Sequence, residues 1–355
     1  MHEPDLAALF RGDTGSAVAD WESVIEAACE ECLLPALASL NLKAPPEVIE
    51  FLNRVETANG ERIEVIAGEF ESAGSLLNEA GIEPVLLKGL AYLARSVFDN
   101  AGQRFVMDID LLIEPEQIGA AVETLARNGW SPDNLDPFRH FRHHAPPMRR
   151  TGRPWIELHH SVGTGLAARI LPASQVVARA SSAVFRHVRV RIPACEDLIS
   201  HLVIHSQIQH PYRDRVFPPL RAMLDLAHLV RRFGRDIQWD SVFRQFSATG
   251  HLSLLLLHLK QAQDSVGLEL PFALKLNLPQ RALYQRRRLL RRYPALCYVD
   301  PAYVLNAALA RRLTTLRIML STKEGPTVAL QEAFHRGNYR NLWADVSRTR
   351  LKANQ

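Results

Sequence analysis

Apolar residues recur every three or four positions through residues 16 to 80, in "AVADWESVIEAACEECLLPALASL" and "PPEVIEFLNRVETANGERIEVIAGEFESAGSLLNEAG", which is the spacing of amphipathic helices. Pro45 and Pro46 separate the two runs, and Gly81 closes the second before a strand. Between 84 and 192 the period changes. "EPVLLKG", "MDIDLLIEP", "PWIELHHSV" and "VFRHVRVRIP" read as strands, with helices predicted at 90–98 and 115–128. From Cys195 onward the pattern is helical again, through "CEDLISHLVIHSQIQH", "PPLRAMLDLAHLVRRFG", "WDSVFRQFS" and "HLSLLLLHLKQAQDSVG", followed by Arg-rich amphipathic stretches. The expected class is therefore α+β: a mixed-sheet core at 81–193, a helical region at 1–80 before it and a helical domain at 194–355 after it.

Composition adds little to that picture, but it removes some options. A chain of 355 residues can bury a large core or several packed units, and its 47% hydrophobic and 23% charged content is ordinary for a globular protein. A formal charge of +4 is too small to argue for a nucleic-acid partner unless the cations cluster. The N-terminus is acidic and carries no apolar signal core, and no uncharged apolar run approaches the roughly 18 residues of a membrane span. A cytoplasmic protein with no membrane association is expected. Cys29 and Cys32 have CxxC spacing but sit in a helical stretch with no second pair, so the four cysteines read as buried or half-buried free thiols rather than a zinc set.

The candidate chemistry lies in "VLLKGLAYLARSVFDNAGQRFVMDIDLLI", residues 85 to 113. Asp108 and Asp110 are one residue apart in a strand pattern, so both fall on one face while Ile109 and Leu111 fall on the other. Two carboxylates a few ångströms apart are costly to bury without cations or donors, so that face is expected to lie outside the core. A divalent ion such as Mg²⁺ would resolve their repulsion while sharing its coordination with phosphates. A solvated strand end with two ordinary acids gives the same pattern. Lys88 and Gly89 precede a helix-like run. Gly89 could allow a tight turn that brings backbone donors to a phosphate, and Lys88 could contact a phosphate or pair with an aspartate. Arg104, four residues before Asp108, could reach either kind of group. A turn glycine and two surface cations would look the same.

"LLKG", then "R…DIDLLI", "IELHH", "DLISHLVIH" and "LRAMLDLAHLV", in that order over about residues 75 to 245, resemble the uncharacterised nucleotidyltransferase family of the polymerase-beta-like superfamily. The resemblance implies a mixed sheet flanked by helices, metal-binding carboxylates at Asp108 and Asp110, a third carboxylate at Glu157, and a phosphate turn at Lys88-Gly89. It implies transfer of a nucleoside monophosphate from an NTP to an acceptor, with Mg²⁺ (or Mn²⁺) as cofactor and pyrophosphate as leaving group. Arg104 would help to hold the triphosphate, and His159, His201 and His205 would line or support the site. Leu90, which supplies no hydroxyl, stands where the broader superfamily usually has a Ser or Gly after the turn glycine, which leaves open whether phosphate is gripped by the backbone and Lys88 instead. The Lys-Gly form is similar to that of nucleotidyltransferase-like toxins of bacterial abortive-infection systems.

Other features leave alternatives open. Glu157 alternates with Ile156 and Leu158 and shares a face with His159, as it would on any surface strand. His201 and His205 lie one helical turn apart, without an HExxH motif, and fit core or supporting histidines as well as ligands. Asp225 interrupts an apolar helix and, if buried, needs a partner, for which Arg221 or a histidine of the preceding helix is expected. The basic stretch "RHFRHHAPPMRRTGR", 139–153, could lean over the site or form a solvated connection. "RRRLLRRYP" reads as an amphipathic helix with its arginines outside. With no recognised module or aromatic stacking pattern for nucleic acid, a small molecule or protein is the favoured acceptor. The competing functions are a non-catalytic nucleotide-binding or protein-interaction module on the same fold, and a metal-dependent phosphohydrolase.

Overall fold

The structure is a computed structural model that describes residues 3–13, 18, 20–132, 143–209, 219–293 and 296. Residues 1–287 pack as one unit, and 288–355 form a second, of which only 288–293 and 296 are described. The first unit opens with helices α1 (Glu3–Phe10), α2 (Trp21–Glu30), α3 (Leu34–Ala38) and the 34-residue α4 (Pro46–Glu79). There follow β1 (Val85–Leu86), α5 (Lys88–Ala94), β2 (Asp108–Leu112), α6 (Ile118–Arg127), β3 (Ser131–Pro132), β4 (Met148–Arg149) and β5 (Trp155–His159). Then come α7 (Leu166–Ile170), α8 (Ala173–Arg179), β6 (Ser181–Phe185), β7 (Val188–Ile192), α9 (Cys195–Ile204), α10 (Leu220–Phe233), α11 (Trp239–Ala248), α12 (Leu252–Val266) and α13 (Leu278–Arg292). The class is α+β, as expected: a mixed sheet flanked by helical regions.

The seven strands run in the order β3-β4-β5-β2-β1-β7-β6. β2 is central, antiparallel to β1 and parallel to β5, and its register sets Asp110 beside Glu157. Alternation buries Ile109, Leu111, Ile156 and Leu158 completely on one face, so the acids and His159 are committed to the other. The long α4 covers the sheet with Ile63, Ile66, Phe70, Ala73 and Leu77. Its Pro46 sits at the first turn, where the missing N–H costs nothing, and Gly81 takes a left-handed φ of 76° just past its end. The same helix fixes the approach to β2: Asn59 Nδ2 donates to the carbonyls of Gly102 and Arg104, at 2.7 and 3.2 Å, and Arg62 Nε to that of Val106 at 2.9 Å.

Several expectations are corrected. The segment read as one strand at 184–193 belongs to a hairpin that turns at Arg186 and His187, with φ of 49° and 63°, and closes on the pair Phe185–Val188. Two positive φ values in a two-residue turn are normally supplied by Gly, Asn or Asp, so this sequence hides its turn. "EPVLLKG" pairs only at Val85–Leu86, and Lys88 already belongs to α5. Cys29 is exposed rather than buried, whereas Cys32 and Cys195 are half-buried free thiols; Cys297 lies outside the described residues. Of the basic 139–153 stretch, 139–142 lie outside the described residues; Arg150 is spent on buried Glu69 of α4 (2.6 and 3.0 Å) and stacks on Trp130. Among the described residues no helix is long and apolar enough to cross a membrane.

Candidate functional site

The site is built where β1 ends, α5 begins and β2 lies against β5. Lys88, at the start of α5, has a left-handed backbone with φ of 45°, a conformation that costs a non-glycine residue about 1–3 kcal/mol and tends to persist where surrounding structure enforces it. The Leu87 N–H donates to the Asp110 carbonyl at 3.0 Å, holding the strand end beside β2. From there the Lys88 ammonium reaches Asp110 Oδ1 at 2.6 Å and lies 3.9 Å from Glu157 Oε2. Gly89 is not the residue that turns. It is buried, and a Cβ there would meet Val106 Cγ1 at 2.7 Å and Arg104 Nη1 at 3.0 Å, so its role is close packing.

His159 completes the group. Its Nε2 lies 2.8 Å from Asp110 Oδ1 and 3.3 Å from Glu157 Oε2, and because both partners are acceptors this nitrogen carries the proton. Asp110 is only 1% exposed, contrary to the expectation that the acidic face lies outside the core. Burial alone would raise its carboxyl pKa, but the Lys88 ammonium and the His159 hydrogen bond outweigh it and hold the pKa well below the usual carboxylate range. The same balance lowers Glu157, chiefly through His159, and raises Lys88 and His159 against the effect of burial. Asp108 sits apart at the strand start. Burial, reinforced by the charge of Asp110, pushes its pKa up to about 6.

Ligand atoms of Asp110, Glu157 and His159 lie within 4.8 Å of one another, a group that could hold a metal ion. Buried Asp110 Oδ2 and His159 Nδ1 have no hydrogen-bond partner. Two carboxylates and an imidazole suit a divalent ion, and polar atoms left unpaired in a buried site need such a reason. Asp108 is not in this group; His159 takes the place that sequence reasoning gave it. His143 and His144, passed over within the basic stretch, stack close by, with ring centroids 5.4 and 5.1 Å from that of His159. Their backbone runs along the end of β5, where the N–H groups of His160 and Ser161 donate to the His143 carbonyl. Burial, reinforced by the charge of His159, pushes His143 down to about 4, so its ring is neutral near pH 7. Only the density of histidines in the sequence hinted at this pair.

Arg104 is paired with a carboxylate and lines the cleft beside Lys88. Its Nε and Nη2 donate to both oxygens of Asp225 at 3.0–3.2 Å, and its guanidinium stacks on Tyr92, 4.9 Å from the ring centroid. Asp225 therefore pairs across 121 residues, rather than with Arg221 one turn away or with a histidine. His201 and His205 face one another at 6.2 Å between ring centroids and line a cleft next to Lys88, outside the metal-capable group.

The chain matches the family model described as "Uncharacterised nucleotidyltransferase" over residues 17–267. No curated protein matches it. A crystal structure of an antigenic nucleotidyltransferase-like protein from Paracoccidioides brasiliensis is similar at 11% identity and a TM-score of 0.35, covering 58% of this chain and 94% of that one. On the match over residues 17–267, with the buried acidic group inside it, the chain belongs to the uncharacterised nucleotidyltransferase family.

Proposed function

We propose that the protein transfers a nucleoside monophosphate from an NTP to an acceptor hydroxyl, releasing pyrophosphate, with a divalent ion such as Mg²⁺ or Mn²⁺ in the site. The observation that carries this reading is the convergence of Asp110, Glu157 and His159 beside the Lys88 ammonium, in a chain of a nucleotidyltransferase family. Asp110, Glu157 and His159 would hold the ion, with Asp108 adding a carboxylate from the same strand face. Bound there, the ion would polarise the phosphoryl group and neutralise charge on the leaving oxygens. Lys88 sits at the edge of the group with a fixed backbone, and its ammonium can turn from Asp110 to a phosphate once that charge is neutralised otherwise. Glu157 is ionised and half-buried, and so can accept the proton of an incoming hydroxyl. Gly89 and Arg104 contribute by packing and by holding the loop before β2. His205 stands with His201 at the neighbouring cleft, where the other reactant would approach.

The test is calorimetric titration of ATP, GTP, CTP and UTP with and without the divalent ion, in wild type and in Asp110→Asn. Metal-dependent binding of at least one nucleotide, lost in the variant, is expected. Nucleotide binding that is indifferent to metal and to Asp110 would overturn the proposal.

A further inference from the structure

The cleft that begins at Lys88 is separate from the metal-capable group and has its own charge pattern. Half open to solvent, it offers about 180 Å³ of water-accessible space between α5, the loop before β2, the end of α9 and the start of α10. Lys88, Tyr92, Arg104, His201, Arg221 and Asp225 form its polar wall. Two of its three cations are already matched: Lys88 by Asp110, and Arg104 by both oxygens of Asp225. Arg221 is not. Half-buried at the first turn of α10, it makes no ion pair or hydrogen bond among the described residues.

A second observation is independent of that charge. His201 is 5% exposed and lines the cleft, yet neither ring nitrogen has a hydrogen-bond partner among the described residues. Burial, then the nearby Lys88 charge, pushes it down to about 3, so it presents a neutral ring with one donor and one acceptor nitrogen. Its ring nitrogens are not among the fully buried unpaired atoms, so they open onto the cleft, where a polar group of a ligand can meet them. The cleft is about half open, so it can seat one compact polar group while the rest of a larger reactant extends out of it.

We propose that this cleft is an oxyanion subsite, in which Arg221 anchors a phosphate or carboxylate group of a reactant and His201 donates a hydrogen bond to it. The inference rests on the nucleotidyltransferase reading only for the identity of the reactant. The oxyanion comes either from the tail of the nucleotide or from an acidic acceptor. Either way the single carboxylate of the wall is fully engaged by Arg104, so an acceptor recognised through ammonium groups has no counter-charge in the cleft.

Inorganic phosphate is the probe, titrated into metal-free full-length chain and followed by phosphorus NMR line width. Wild type, Arg221→Gln, Arg221→Lys and His201→Phe are compared, with thermal melts to confirm that each remains folded. Saturable binding by wild type is expected, weakened about tenfold or more in Arg221→Gln, as for loss of a charge-assisted bond, and partly retained in Arg221→Lys. His201→Phe should weaken it less. No saturable binding by wild type, or equal binding by folded Arg221→Gln, would overturn the subsite. A parallel titration of ATP with Mn²⁺ separates the sources. A loss in Arg221→Gln equal to that for phosphate assigns the oxyanion to the nucleotide tail, and unchanged ATP binding assigns it to the acceptor. Phosphate binding without any metal-dependent nucleotide binding would leave the subsite standing and refute the transferase reading.

Discussion

Removing Asp225 should unfold the protein more readily than any surface change, because it strands a buried guanidinium. Arg104 and Asp225 are 10% and 6% exposed at their side chains, and three donor–acceptor contacts of 3.0–3.2 Å join them. Taking one partner from a buried pair of this kind costs about 3–5 kcal/mol, since the other charge stays desolvated and unmatched. At roughly 2–4 °C per kcal/mol for a unit of this size, Asp225→Ala should lower Tm by about 6–20 °C. The double variant Arg104→Met, Asp225→Leu leaves no charge behind and should recover most of that loss, while urea titrations give the coupling energy of the pair. A Tm for Asp225→Ala within a degree or so of wild type would refute the argument about the pair.

Three further outcomes follow from local geometry. Gly89→Ala forces a methyl against Val106 Cγ1 at 2.7 Å and should cost about 1–3 kcal/mol in urea denaturation, whereas wild-type stability would show that the wall relaxes freely. Lys88→Met leaves Asp110 with His159 alone; the metal-free chain should melt lower, and Mn²⁺ should raise Tm more in the variant than in wild type, because the ion no longer competes with the ammonium. An equal Mn²⁺ effect would argue against that competition. His258 is fully buried and pushed down to about 3 from 6.5 by burial and then by Arg287. The unfolded chain therefore binds its proton first, and stability is lost as pH falls from about 6.5 towards 3, at up to about 1.4 kcal/mol per pH unit from this residue. His258→Gln should flatten the pH dependence of urea midpoints across that window, and an unchanged slope would refute the assignment.

How much of the site could be read from sequence depended on the range of each interaction. Alternation along β2 and β5 puts Asp108 and Asp110, and Glu157 and His159, on shared faces, because period two is a property of each strand alone. That β2 and β5 are neighbours, with Asp110 level with Glu157, is not local information; the family resemblance implied only that Glu157, from a later strand, joins the aspartates. The burial of Asp110 was missed because the cation and donor that make it tolerable, Lys88 and His159, come from other elements. The carboxylate partner of Arg104 is hidden for the same reason: it stands on a helix 121 residues away, whereas helical spacing points Asp225 to Arg221. The 186–187 turn escaped notice because Arg and His hold φ values that usually advertise themselves as Gly or Asn.

The central claim is that Asp110, Glu157 and His159 hold a divalent ion that a nucleotide then shares. Pulsed EPR of the Mn²⁺-loaded full chain with ATP reads both halves at once. The account predicts nitrogen coupling from an imidazole ligand, lost in His159→Gln, together with phosphorus coupling from the nucleotide, with both lost in Asp110→Asn. A spectrum of Mn²⁺ bound only to water and nucleotide, the same in wild type and both variants, would contradict it.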